Sequence, residues 1–136
     1  MKTITTYLVE DSAVIRESLI ATLEELSEVR VVGCAEDESS AIDWLMAKEN
    51  QVDLVIIDLF LKSGTGLGVL KSVREKMHDS TMVVLTNYAT PDMRQKCLTL
   101  GASRVFDKSH DVDDLVLYCS QLAAREHDKC TAPMLQ

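Results

Sequence analysis

Five chemically capable side chains stand directly beyond short apolar runs of this sequence. Glu10 and Asp11 follow residues 5–9, Asp58 follows 54–57, Thr86 follows 82–85, and Lys108 lies just beyond 104–106. If all five share one place, three carboxylates converge, and their repulsion raises at least one pKa unless a cation sits among them. Oxygen-only ligands select a hard cation, and Mg²⁺ prefers a few carboxylates together with water and phosphate oxygens. Mg²⁺ is therefore the expected cofactor. With that charge neutralised, one carboxylate can stay unprotonated and attack phosphorus in line, giving an acyl phosphate. Such a transfer needs positioning and charge neutralisation more than covalent machinery. Lys108 offers a mobile positive charge for a phosphoryl oxygen and Thr86 a short-range hydroxyl donor. Asp58 is the best nucleophile candidate. It ends the strand expected to be the most buried, stands apart in sequence from Glu10 and Asp11, and precedes a loop containing Gly64, Gly66 and Gly68 that leaves room for a donor.

These side chains meet only if the runs before them are parallel strands. Short apolar runs alternate with longer amphipathic ones, the signature of repeated strand and helix units. Strands are expected at 5–9, 29–35, 54–57, 82–85 and 104–106. The first helix, capped by Ser12, should run to about Leu26 on the stripe Ile15, Leu19, Leu23 and Leu26. Further helices are expected at about 39–49, from Leu67 to about Met77, at 91–100 and at 111–126. Pro91 suits a first helical turn, and Gly101 a left-handed helix end. Right-handed crossovers then place helices on both faces of one open sheet. In such α/β sheets chemistry gathers beyond the carboxyl ends of the strands.

Composition narrows the partners. The 136 residues carry 14 Lys+Arg against 22 Asp+Glu, a net charge of −8, with 46% hydrophobic residues. That fits one globular domain with a sizeable core. The acidic balance speaks against nucleic acid, whose binders cluster Lys and Arg, and against an anionic membrane surface. No apolar run approaches the roughly 20 residues that cross a bilayer. No signal peptide is expected, and no Cys-x-x-Cys pair occurs in the sequence. Cys34, Cys97, Cys119 and Cys130 read as reduced thiols of a cytoplasmic protein, the first three as small hydrophobes and Cys130 as exposed. His78, His110 and His127 read as solvated side chains.

The order Leu8-Val9-Glu10-Asp11, Leu54-Val55-Ile56-Ile57-Asp58-Leu59, Val83-Val84-Leu85-Thr86-Asn87 and Gly101-Ala102-Ser103 with Lys108 resembles the receiver domain of two-component response regulators. The resemblance covers the chain to about residue 126. It implies a flavodoxin-like doubly wound fold, a five-stranded parallel sheet of order 2-1-3-4-5 with five helices, over residues 1–127, and a short tail at 128–136. It further implies that Asp58 accepts a phosphoryl group from a histidine kinase or phosphotransfer protein. Glu10, Asp11, Asp58 and the backbone carbonyl of Phe60 would hold Mg²⁺. Thr86 and Lys108 would contact the phosphoryl group and carry its presence to the face made by helix 4, strand 5 and helix 5, where a downstream protein or a second copy of the chain would bind. The length suggests a stand-alone receiver, and the resemblance implies a phosphoacceptor rather than a turnover enzyme.

Several positions depart from the family pattern. Many members carry an aromatic switch residue three places before the lysine. Val105 stands there, and alternation turns Phe106 to the opposite face. Ser109 replaces a common proline after the lysine, so a trans peptide is expected. Phe60 and Tyr88 are bulky and should hinder an attacking water, giving slow self-dephosphorylation. The segment from Gly64 to Gly68 is not a dinucleotide loop, because the third glycine of Gly-x-Gly-x-x-Gly would fall on Val69. Trp44 reads as partly buried packing, and Arg94, Lys96 and Arg104 as solvated charge. Two competing readings are weaker. A Mg²⁺-dependent aspartyl phosphohydrolase would want a second acid two places after its nucleophile, where Phe60 stands. A flavin protein would want a phosphate loop where Glu10 and Asp11 stand.

Overall fold

In the computed structural model, which describes residues 3–76 and 79–131, with the backbone alone for 126–131, strands and helices alternate strictly. The order is β1 (Ile4–Val9), α1 (Ala13–Leu26), β2 (Val29–Ala35), α2 (Glu38–Met46), β3 (Leu54–Ile57), α3 (Gly66–Val73), β4 (Thr81–Thr86), α4 (Pro91–Thr99), β5 (Arg104–Asp107) and α5 (Val112–Thr131). The strands form one parallel sheet in the order β2-β1-β3-β4-β5. This is the doubly wound architecture expected from the sequence.

Register decides what the sheet presents at its carboxyl edge. Val9 pairs with Ala35 on one side and Ile57 on the other, Ile57 pairs with Val84, and Thr86 pairs with Asp107. The ladder extends one residue further through backbone bonds from Glu10 N–H to the Ala35 carbonyl, Asp58 N–H to the Val9 carbonyl and Lys108 N–H to the Thr86 carbonyl, each 2.9 Å. These bonds fix where Glu10, Asp58, Thr86 and Lys108 leave the sheet.

Two apolar layers sandwich it. Val9, Val55, Ile57 and Val84 face Leu45 of α2, Val69, Leu70 and Val73 of α3, and Cys97 of α4. Leu8, Leu54, Ile56, Val83 and Leu85 face Leu19 and Leu23 of α1 with Leu115, Cys119 and Leu122 of α5. Every residue of β3 is buried, as a central parallel strand requires. Each fully buried Leu, Ile or Val contributes about 1.5–3 kcal/mol, so β3 is anchored along its whole length, and it ends at Asp58.

Helix starts follow local chemistry. The side chains of Ser12, Asp37, Thr65 and Thr90 accept from the N–H groups of Ile15, Ser40, Gly68 and Met93, and each such cap stabilises its helix by roughly 1 kcal/mol. Gly101 has φ +108°, the left-handed end expected from the sequence. Three helix ends differ from expectation. α2 stops at Met46 rather than Glu49, because side chains capture its last carbonyls: Asn50 donates to Trp44, and Lys76 donates to Leu45 and Ala47. α3 ends at Val73 and gives way to a turn at 74–76, and Met77 lies outside the described residues with His78. α5 continues past Glu126 to Thr131, so the expected tail from 128 begins inside the helix. The first residue there that opposes helix is Pro133; the side chains of His127 and Cys130 lie outside the described set. Cys34 is exposed rather than buried, because β2 is an edge strand covered less completely than its neighbours.

Candidate functional site

Glu10 is buried to 2% exposure and Asp58 to 7%. Burial without compensation would be costly for two carboxylates. Lys108 supplies the compensation. Its Nζ donates to Glu10 Oε1 at 2.5 Å and to Asp58 Oδ2 at 2.9 Å. Glu10 Oε2 also accepts from the Ser12 N–H at 3.0 Å. Asp11 is exposed at the rim. One carboxylate oxygen from each of Glu10, Asp11 and Asp58 lies within 4.8 Å of the others.

The charges do not balance. Three acids face one amine, and burial lifts the Glu10 carboxyl above its ordinary value, outweighing the hydrogen bonds from Lys108 and Ser12 that act the other way. Burial alone would pull Lys108 down, but its bonds to Glu10 and Asp58 outweigh it and hold the ammonium above its ordinary value. Repulsion among the acids was expected to require a cation, and the lysine is the cation that the fold itself provides.

A donor set of three carboxylates with no nitrogen or sulfur ligand fits a hard divalent cation. Residual negative charge beside Lys108 is a second reason for that fit. Glu10, Asp11 and Asp58 would hold it, and Phe60 begins the loop that would offer a backbone carbonyl.

Thr86 is fully buried, and its Oγ1 accepts from the Tyr88 N–H at 3.2 Å. The rings of Phe60 and Tyr88, each about half exposed, meet with centroids 4.5 Å apart. One stands two residues after Asp58 and the other two after Thr86, so the pair links the two loops flanking the acid. Val105 and Phe106 pack into opposite apolar layers, as alternation required. No cis peptide occurs among the described residues, and that includes the bond before Ser109.

Other residues around the site were either not singled out by sequence reasoning or were read there as solvated charge. Arg16 Nη1 donates to the Glu10 carbonyl at 2.8 Å, with Nη2 3.9 Å from Glu36. Glu38 accepts from the Thr65 N–H at 2.8 Å. Arg94, read as solvated charge, instead donates to the carbonyls of Ala89 at 3.0 Å and Val105 at 2.8 Å, with Asp111 3.7 Å away. Arg104 is also engaged, 5.2 Å from the Phe106 ring centroid and 5.3 Å from that of Tyr118. An Arg or Glu in a helical turn carries no local signal of such contacts. Trp44 packs as expected, stacked on Tyr7 with centroids 4.2 Å apart, where burial pushes the Tyr7 phenol up to about 12.

Fold and site together define a doubly wound α/β protein whose carboxyl edge carries an acidic pocket closed by a lysine. The response regulator receiver domain family matches residues 6–119, and the chain belongs to that family of two-component signalling domains. Among its relatives, the transcriptional regulatory protein YdfI of Bacillus subtilis is 30% identical over 95 residues, 70% of this chain and 43% of the relative. The response regulator UvrY of Escherichia coli K12 is 25% identical over 109 residues, 80% of this chain and 49% of the relative. The chain thus spans less than half the length of these curated relatives. A LuxR-family two-component response regulator from Aurantimonas superposes with a TM-score of 0.80 at 25% identity, covering 90% of this chain and 86% of that one. Among the described residues, no helix is long and apolar enough to cross a membrane.

Proposed function

We propose that Asp58 is the phosphoacceptor of this receiver domain and that the site works with Mg²⁺. The observation that carries this reading is the junction of Asp58 with Lys108 and Glu10 beneath an exposed Asp11. The nucleophile lies in hydrogen-bond contact with an ammonium, at the end of a fully buried strand. An Asp58 carboxylate oxygen attacks the phosphorus of a phosphohistidine on a histidine kinase or phosphotransfer protein. The new O–P bond forms as the P–N bond breaks, and the imidazole nitrogen leaves with the electron pair and is then protonated. Lys108 is placed to exchange one of its carboxylate bonds for a phosphoryl oxygen. Thr86 can donate its hydroxyl hydrogen to another while still accepting from Tyr88. A bound divalent cation would supply charge neutralisation for the crowded carboxylates and the incoming phosphoryl oxygens.

Each transfer modifies the acceptor itself, so the domain acts as a switch. Its output runs through Thr86 and the 87–90 loop to α4, β5 and α5, the face offered to a downstream protein or to a second copy of the chain. The phosphohydrolase reading loses further support from Phe60, whose ring packs at a tilt against Tyr88 where a proton donor would be needed. Purified protein mixed with a small phosphodonor and Mg²⁺ should gain one phosphoryl mass, lost in Asp58→Asn. Continuous turnover of phosphomonoesters, or an unchanged gain in Asp58→Asn, overturns the reading.

A further inference from the structure

The loop between β3 and α3 is closed almost entirely on itself. Phe60 bridges Thr65 in antiparallel fashion, and the Gly66 N–H returns to the Leu59 carbonyl at 2.9 Å. Its hydrogen-bonded tethers to the rest of the molecule come from the start of α2. The Glu38 N–H donates to the Ser63 carbonyl at 3.0 Å, the Lys62 N–H to the Glu36 carbonyl at 3.3 Å, and the Glu38 carboxylate receives the Thr65 N–H. Glycines make room for that carboxylate. A Cβ on Gly68 would lie 2.4 Å from Glu38 Oε2, and one on Gly64, where φ is +84°, would lie 2.4 Å from the Glu38 Cβ. Two of the three glycines following the acceptor therefore accommodate one side chain from another helix.

We propose that Glu38 is a positioning residue for the phosphoacceptor site. Through Thr65, and the bridge from Thr65 to Phe60, its carboxylate holds the loop that places the Phe60 carbonyl and the Phe60 ring beside Asp58. The proposal rests on the Mg²⁺-dependent reading of that site. It gives the glycine-rich segment a specific duty: Gly68 is small because a carboxylate occupies the space of its side chain, not because the backbone there needs freedom.

The test is a mutant cycle on the full chain, read by Mg²⁺ binding in calorimetry and by amide hydrogen exchange without metal. Glu38→Ala should weaken Mg²⁺ binding by about tenfold, the scale of one well-placed hydrogen bond, and speed exchange at Thr65. Glu38→Gln keeps an oxygen acceptor and should behave as wild type, which separates the hydrogen bond from the loss of a negative charge. Gly68→Ala should push the carboxylate off Thr65 and reproduce the Glu38→Ala loss, although alanine favours helix at that position. In the Glu38→Ala background, Gly68→Ala should cost nothing more. If wild type binds no Mg²⁺, this proposal and the site reading fall together. If wild type binds and Glu38→Ala binds equally well, or if Gly68→Ala costs the same with and without Glu38, the role of Glu38 is overturned while the site reading stands.

Discussion

The two loops that flank Asp58 are built in opposite ways. The segment after β3 is held mainly by backbone, through an internal bridge, a bond from Gly66 to Leu59 and two backbone tethers to the start of α2, with the Glu38 carboxylate and the Thr65 cap as its side-chain anchors. The segment after β4 is held by side chains. Thr86 Oγ1 takes the Tyr88 N–H, Thr90 Oγ1 takes the Met93 N–H, and Arg94 reaches from α4 to the carbonyls of Ala89 and Val105. Backbone closure leaves few alternative arrangements, which suits a loop that presents metal and phosphoryl ligands. Side-chain anchors can exchange partners without unfolding anything, which suits a loop that must change when Thr86 gains a new acceptor. The difference separates a fixed half of the site from a movable half.

The largest effect is expected where the fixed loop has no slack. A Cβ at Gly66 would lie 2.1 Å from the Asp58 carbonyl oxygen, so Gly66→Ala should cost about 3 kcal/mol in chemical denaturation. Asn87→Ala in the movable loop should cost under about 0.5 kcal/mol; equal costs would erase the contrast between the loops. Next comes Arg94→Lys, which keeps the charge but cannot serve two carbonyls and Asp111 together. It should lose about 1–2 kcal/mol and speed amide exchange across 88–90 and at the start of α5, leaving Thr65 unchanged. Exchange that also rises at Thr65 would show that the two halves are not independent.

A smaller effect is expected at the aromatic pair, where the loops touch. Phe60→Asn and Tyr88→Glu should each shorten the phosphorylated lifetime severalfold, because either opens the approach of water to Asp58. A lifetime unchanged by both would remove the pair from the chemistry. The smallest effect is a pH dependence of metal-free stability. Because burial holds the Glu10 pKa above its ordinary 4.5, its contribution to stability is fully present below that value and is lost as pH rises through the raised pKa. Wild type should therefore lose Tm relative to Glu10→Gln as pH rises above the ordinary value of 4.5, and saturating Mg²⁺ should abolish the difference. A Tm gap that stays flat with pH would mean that Glu10 does not carry the excess charge.

Much of this was legible without coordinates. β2 and β3 coincide with their expected spans, and β1, β4 and β5 differ by one or two residues at their ends, because apolar runs and strand-closing polar residues are properties of neighbouring positions. Glu10, Asp11, Asp58, Thr86 and Lys108 were found together for the same reason: each closes or follows a strand, and parallel strands share a carboxyl edge. Helix ends were less legible. α2 stops where Asn50 and Lys76 take its carbonyls, and Lys76 comes from beyond another helix.

What the sequence by itself determined is the alternation of elements, their faces and the set of residues at the strand ends, all governed by contacts a few residues apart. Only the tertiary structure decided how those residues share charge and what holds them. Lys108 meets Glu10 across 98 positions and Asp58 across 50. Glu38 fills the space left by Gly68, and Arg94 spans the 87–90 loop and β5. Such pairings depend on sheet register and helix packing, which bring distant side chains within hydrogen-bond reach and leave no periodic trace in the chain.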